Sequence, residues 1–500
     1  MALGRRTPWL HRLLRTYTNG FSSGLPLPLT HHVLHARVGA GPVILGFVGV
    51  GGAGAFLGRR GNSSSSVNAN SGGGGGTSGG NSGGSSSPNS PPLTSKDGEA
   101  EVYKSPVLAL DLAAANEKLR REEWVGALKG VRFHGNRLGS NAVVEDDFSW
   151  GVMRGSGKGG EEACFWGVYD GHAGWATSAV LRSYLIPYVS AALQNNKDNP
   201  DTAIRDAFVA LDDEISHTAL SAITSHQPAS PKAVSALGPA NSGSCALLSV
   251  YEPSTSILRV ANTGDSRAVL GRFDATKGKY TAIPLSADQT GFNDDERTRI
   301  ESEHPGEEEV VDAKSGRLMG IAVTRAFGDM RWKWPLKSIQ RAQENFWGNA
   351  PRFNYHTPPY MTAEPVVTET KVLRGRRGDF LILACDGVWD NISSADAIEC
   401  VGRWVSKSLG EKTPEATFDE DSDQTPEFWS GKGRAVSWTA RPKYFSSAEE
   451  DGNAATYLMR NVLGGSRVEL FRGVMSTYAP LSRNVRDDLT VQVIFFGDVE

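Results

Sequence analysis

Four groups of carboxylates stand where apolar, strand-like runs begin or end. The run Phe165–Tyr169 passes straight into Asp170-Gly171-His172, and Phe380–Cys385 passes into Asp386-Gly387. Arg486-Asp487-Asp488 comes just before the run Thr490–Phe496, and Glu145-Asp146-Asp147 makes the fourth group. Carboxylates gathered at strand mouths hold hard divalent cations through oxygen and leave positions for water. Two such ions about 4 Å apart can bridge and activate a water for in-line attack on phosphorus. That chemistry needs an acid for the departing oxygen and no protein nucleophile. His172 is the candidate acid, because it adjoins a ligand position and imidazole titrates near neutrality.

Each of these features has a plainer reading. Asp-Gly is a strong hairpin-turn signal, and a histidine can simply bond to backbone. Neither Asp-Gly, however, is followed by a matching strand after a tight turn. Gly171 leads towards a helical pattern, and Gly387 leads through Trp389 to Ser393 and Asp396, which have capping-box spacing. Taken together, the four groups favour a metal site over four separate turns.

The elements that must position these groups are legible as apolar runs. Cys164–Tyr169, Cys245–Tyr251, Ile257–Ala261, Ala268–Arg272, Phe380–Cys385 and Thr490–Phe496 predict strands. The short turn-rich pieces Glu252–Ser256 and Phe273–Gly278 join neighbouring runs, which suits antiparallel hairpins. Helical patterns cover Ala176–Leu193, interrupted by Pro187, and a stretch in which Ile204, Ala207, Phe208, Leu211 and Ile215 share one face behind Asp201 as N-cap. Ala397–Val405 and Ala454–Leu463, the latter closed by Gly464, are further helices. The economical fold class is α+β, with antiparallel sheets and helices packed outside them. A doubly wound parallel sheet is the rival, but no GxGxxG or GxxxxGK follows a strand. Cys164, Cys245, Cys385 and Cys400 form no CxxC and read as buried thiols.

Composition divides the 500 residues in two. Residues 39–84 hold 18 of the 57 glycines, and no acid precedes Asp97. Eight basic residues do precede it, so of 52 basic and 56 acidic groups the remainder carries 44 and 56, a net of −12. An acidic body argues against binding nucleic acid. Residues 1–37, with arginines among Trp9, Leu10, Leu13 and Leu14, read as a mitochondrial presequence. Residues 38–58 are uncharged and near the length of a transmembrane anchor, although eight are glycine, and more presequence is the alternative, so the expected location is the mitochondrial matrix or attachment to the inner membrane. Residues 59–100 read as a Ser/Gly linker. A folded domain over 101–500 follows.

The motif Asp170-Gly171-His172-Ala173-Gly174 resembles the hallmark of the type 2C, metal-dependent protein serine/threonine phosphatases. So do Gly264–Arg267, Arg325–Asp329, Cys385–Asp390 and Arg486–Asp488, in the family's order from about residue 130 onwards. The resemblance implies a four-layer αββα sandwich with two central antiparallel sheets. It implies that Asp170, Asp386 and Asp487 are side-chain ligands of a two-ion Mg²⁺ or Mn²⁺ centre. Gly171 would lend its carbonyl, and Glu145 and Asp146 would reach the ions through water. Asp265 and Asp390 match further carboxylates that, with Asp386, form a weaker third site. Arg267 and Arg325 read as structural.

One position departs from the family. Most members carry an arginine for the substrate phosphate four residues before the Glu-Asp pair, and here that place is held by Asn141. The mitochondrial pyruvate dehydrogenase phosphatase branch, in its fungal form, is similar in this respect. It is similar also at Glu303–Pro305, Arg325–Trp334 and Asn354–Pro365. The implied function is hydrolysis of phosphoserine in a mitochondrial phosphoprotein, with the pyruvate dehydrogenase complex as partner and its alpha subunit as client. The alternatives are a different client, or a catalytically inactive relative that binds phosphoproteins. Two insertions are expected in the domain. The one near 331–360 carries Trp332, Trp334 and Phe346, read as packing aromatics, with substrate docking by the whole insert as the alternative. The one near 408–450, with Asp419, Glu420, Asp421 and Asp423, reads as a solvated loop, with a partner-binding loop as the alternative.

Overall fold

A computed structural model describes residues 105 and 107–498, apart from 158–160, 308 and 412–437. The presequence, anchor and linker expected over 1–100, and the acidic cluster of the second insertion, lie outside the described residues.

Two antiparallel sheets carry the fold. The first has six strands in the order Trp124–Leu128, Val131–Leu138, Leu489–Phe495, Phe380–Ala384, Arg267–Asp274 and Lys279–Pro284. The second has five, in the order Val366–Lys371, Ile257–Thr263, Ala246–Glu252, Glu162–Tyr169 and Asp147–Arg154. The hairpins predicted at Glu252–Ser256 and Phe273–Gly278 are both present, since each joins two paired neighbours.

The central strands are continuous apolar runs because both their faces are covered. All of Phe380–Ala384, Ala246–Glu252 and Leu489–Phe495 is buried, whereas the edge strand Trp124–Leu128 is partly exposed throughout. One face of each sheet meets the other sheet. Phe133 of the first lies edge-on to Trp166 of the second at 5.9 Å, and Gln492 Nε2 donates across to the Gly167 carbonyl at 2.7 Å. The outer face of the first sheet is covered by the helices Ser394–Ser408 and Ala454–Val462, and that of the second by Ala176–Asn195, which packs on Pro200–Ser225. This is the α+β, four-layer arrangement, with two central antiparallel sheets flanked by helices.

Local departures have physical causes. The helix Ala176–Asn195 runs through Pro187 without a break. Leu185, Ile186, Val189 and Ser190 around it are buried, so packing outweighs the lost backbone bond. Asp201 is not an N-cap. The helix starts at Pro200, and the Asp201 carboxylate instead faces Arg259 at 3.3 Å. Ser393 does cap its helix, accepting from the Asp396 amide, and Gly464 follows the helix Ala454–Val462 with a φ of 139°. The four cysteines are free and buried. In the first insertion Trp332, Trp334 and Phe346 are 7%, 4% and 3% exposed, as packing aromatics should be.

Candidate metal centre and general acid

Strand register brings the carboxylates to one end of the sandwich. Asp147 pairs with Tyr169, which sets Asp146 beside Asp170. Ala384 pairs with both Val491 and Arg267, which gathers Asp386, Asp488 and Asp265 at the same end of the first sheet. The amide of Asp386 stands 3.5 Å from Asp170 Oδ2 across the two sheets. Asp386 also opens the short helix Asp386–Trp389.

Crowding and burial act on these groups together. Burial, reinforced by Asp386, Asp146 and Asp265, holds the Asp170 carboxyl well above the ordinary range. Burial and then Asp488 push Asp146 up to about 7, and burial and then Asp386 push Asp265 up to about 7. Such a cluster is poorly compensated by the protein itself, since like charges this close resist joint ionisation. A hard divalent cation removes that conflict, and the donors are carboxylate oxygens of the kind such ions take. The donor set therefore fits the group. Cys245 Sγ also lies within 4.8 Å of Asp170 and Asp265. Burial and the two carboxylates hold its thiol well above the usual value, so it donates to Asp265 Oδ1 at 3.3 Å.

Glycine at 171 is a steric requirement. A Cβ there would lie 2.1 Å from the Glu145 carbonyl oxygen, which Ser178 also binds. Thus Gly171 lets the Glu145-Asp146 backbone close against the Asp170 turn. Asp487, by contrast, is turned to Arg483, with which it forms an ion pair, and it accepts from the Asp488 amide at 2.6 Å. Arg483 also donates to Ser140 Oγ at 3.4 Å, and Asn141, next in the chain, is partly exposed. Asp390 is exposed at the end of the short helix.

Arg267 and Arg325 are structural in the geometry. Arg267 binds Asp288 through Nε at 2.8 Å and lies over the Trp389 ring. Arg325 makes a forked pair with Glu296 at 2.9 and 2.6 Å and reaches the Glu364 carbonyl.

Three residues matter here to which the sequence reading gave no individual role. Asp329 Oδ2 lies 2.6 Å from His172 Nε2, and Asp329 is 2% exposed. Burial works against an imidazolium at His172, but the charge and hydrogen bond of Asp329 outweigh it and raise the pKa. Gly243 sits against this pair: a Cβ would come within 2.1 Å of His172 Nε2 and 2.2 Å of Asp329 Oδ2. Asp488 accepts from the amide and hydroxyl of Ser140, at 2.6 and 2.7 Å, and from the amides of Glu145 and Asp146, at 2.8 and 3.4 Å. It is the clasp that shapes the Glu145-Asp146 loop. Asp329 closes the Arg325–Asp329 motif at a φ of 51°, and Asp488 doubles Asp487. Those were the available signals.

Residues 144–420 match the protein phosphatase 2C family. Over 380 residues the chain is 40% identical to a protein phosphatase 2C homolog of Schizosaccharomyces pombe, covering 73% of this chain and 80% of that one. It is 36% identical over 433 residues to the mitochondrial [pyruvate dehydrogenase [acetyl-transferring]]-phosphatase 1 of Saccharomyces cerevisiae, covering 78% and 74%. With the mitochondrial [pyruvate dehydrogenase [acetyl-transferring]]-phosphatase 2 of Homo sapiens it shares 34% identity over 254 residues, 48% of this chain and 45% of the relative. The matched segment ends at 420, yet Leu489–Phe495 lies between Val131–Leu138 and Phe380–Ala384 inside the first sheet. The chain belongs to the protein phosphatase 2C family, the metal-dependent (Mg/Mn) protein phosphatases, whose substrates are phosphoproteins.

Proposed function

We propose that this chain hydrolyses phosphoserine in a mitochondrial phosphoprotein, and that its client is the alpha subunit of pyruvate dehydrogenase, which dephosphorylation would return to activity. The observation that carries the catalytic part is the meeting of Asp170, Asp146, Asp265 and Asp386 at one sandwich end beside the His172–Asp329 pair. Two hard divalent cations held by Asp170, Asp386, Asp487 and the Gly171 carbonyl, with Glu145 and Asp146 reaching them through water, would supply an activated water and charge neutralisation for in-line displacement at phosphorus. Asp265, Asp386 and Asp390 would hold a third, weaker ion.

The remaining work is done by the chain's own residues. Asn141 donates to a phosphate oxygen as the group settles. As the bond from water oxygen to phosphorus forms, the bond from phosphorus to the serine oxygen breaks. His172 delivers the proton on its other ring nitrogen, Nδ1, to that serine oxygen, while Asp329 accepts from Nε2 and keeps the ring oriented and charged until it does. Glu145 and Asp146 keep their place because Asp488 holds the Ser140–Asp146 loop.

The client and the compartment rest on other support. Mitochondrial pyruvate dehydrogenase phosphatases stand among the relatives, and the chain's first 37 residues carry arginine without acid. Residues 38–58 would attach the protein to the inner membrane. The test is phosphate release from phosphorylated pyruvate dehydrogenase alpha subunit, run beside phosphorylated casein with Mg²⁺. Faster release from the alpha subunit, with recovery of dehydrogenase activity, is the expected result. Release from casein alone would assign a different client.

A further inference from the structure

Arg331 and Arg352, both in the first insertion, place their guanidiniums over the same ring. Their central carbons lie 5.6 and 4.7 Å from the centroid of Trp332, which is buried and so forms a fixed platform. Among the described residues no carboxylate pairs with either arginine. Arg331 Nε donates to the Ala350 carbonyl, while Arg352 Nε is buried without an acceptor. Burial lowers both arginines from their ordinary value, and Arg352 lowers Arg331 further. The Asp329 charge acts on Arg352 in the opposite direction, and the Trp332 amide donates to the Asp329 carbonyl at 2.9 Å, so the platform ring lies one turn from the partner of His172. Gly320, at a φ of 92°, leaves room for this placement, since a Cβ there would sit 3.1 Å from Arg352 Nη2.

Two partly buried like charges over one ring, with no carboxylate in contact, are unfavourable alone and favourable around an anion. Phe353, next to Arg352 in the chain, is 95% exposed, so a passing peptide has access. We propose that Arg331 and Arg352 form an anion subsite for an acidic side chain of the phosphoprotein, close to the phosphoserine being hydrolysed. This rests on the phosphatase reading and adds a sequence preference to it.

The test compares the full chain with its Arg331→Gln/Arg352→Gln form on three substrates. These are a phosphoserine peptide with Asp and Glu flanks, the same peptide with Asn and Gln flanks, and p-nitrophenyl phosphate. The subsite predicts about a tenfold kcat/KM preference for acidic flanks. It predicts loss of that preference in the double variant, with p-nitrophenyl phosphate turnover unchanged. A preference that is absent, or that survives in the variant, overturns the proposal, as does a parallel fall on p-nitrophenyl phosphate. Failure to release phosphate from any substrate would instead count against the phosphatase reading. The subsite is then decided by fluorescence anisotropy of the labelled, unphosphorylated acidic peptide without metal. Binding weakened at least about fivefold by the double substitution supports the subsite, and equal binding overturns it.

Discussion

His172 Nε2 stands 2.6 Å from Asp329 Oδ2, although 157 residues separate them in the chain. The contact forms because the short strand Gly243–Ser244 pairs with Gly171–His172 on one side and with Phe327–Gly328 on the other. It turns a histidine beside a metal-ligand position into one whose Nε2 is held by a buried carboxylate, leaving Nδ1 to carry the proton for the departing oxygen. Asp329→Asn keeps the shape and removes the charge. Turnover of a phosphoserine peptide should then fall about 10²-fold in kcat, with KM little changed. p-Nitrophenyl phosphate, whose leaving group needs no proton, should lose far less. Equal losses on both substrates would show that Asp329 does not act through proton delivery.

Gly243→Ala tests the same pair from its other side. The added methyl would occupy the space that His172 and Asp329 share. Its activity should show the same selective loss on phosphoserine, with a circular dichroism spectrum like that of the parent. Unchanged phosphoserine turnover would mean the pair is not held where the geometry puts it.

Asp488→Ala removes the acceptor of four hydrogen bonds. Leaving those donors buried should lower unfolding stability by about 2–4 kcal/mol, read as a shift in urea midpoint. Asp488→Asn, which keeps some of the acceptors, should lose less. A midpoint unmoved by Asp488→Ala would show that the loop does not depend on this clasp.

His134 gives stability a pH dependence of known sign. Its Nδ1 accepts from the Ala454 amide at 3.0 Å at the start of a helix, which requires a neutral ring. Burial, with a smaller contribution from Arg132, pulls its pKa from 6.5 down to about 4. Between those values the unfolded chain binds the proton more readily, so this contribution is present above pH 6.5 and is lost as pH falls towards 4. The loss amounts to about 3 kcal/mol at most. His134→Gln should flatten that limb of a urea-midpoint profile, and an unaltered limb would assign the acid sensitivity elsewhere.

The sequence carried most of the scaffold because central strands buried on both faces must be apolar throughout. Phe380–Ala384 and Ala246–Glu252 stood out for that reason, and the hairpin turns between neighbours fixed their pairing. It carried less where tertiary packing overrode local chemistry. Pro187 sits inside a continuous helix because its neighbours are buried, and Asp201 serves Arg259 instead of capping. The acidic motifs marked the mouth of the site because each adjoins a strand end. Asp329 was hidden as a partner, since nothing local links residue 329 to residue 172. That link is made by a two-residue strand too short to show a period. Arg331 and Arg352 were hidden similarly, being brought together only over the ring of Trp332.

The central claim is that the converging carboxylates serve a metal-dependent phosphatase. Phosphate release from a phosphoserine peptide, measured against free Mn²⁺ for the parent and for Asp386→Ala, tests it most directly. The account predicts release by the parent that rises with Mn²⁺ to saturation and stops with a chelator, and loss of that metal-dependent release in Asp386→Ala. Release that ignores the chelator, or that persists in Asp386→Ala, would contradict it.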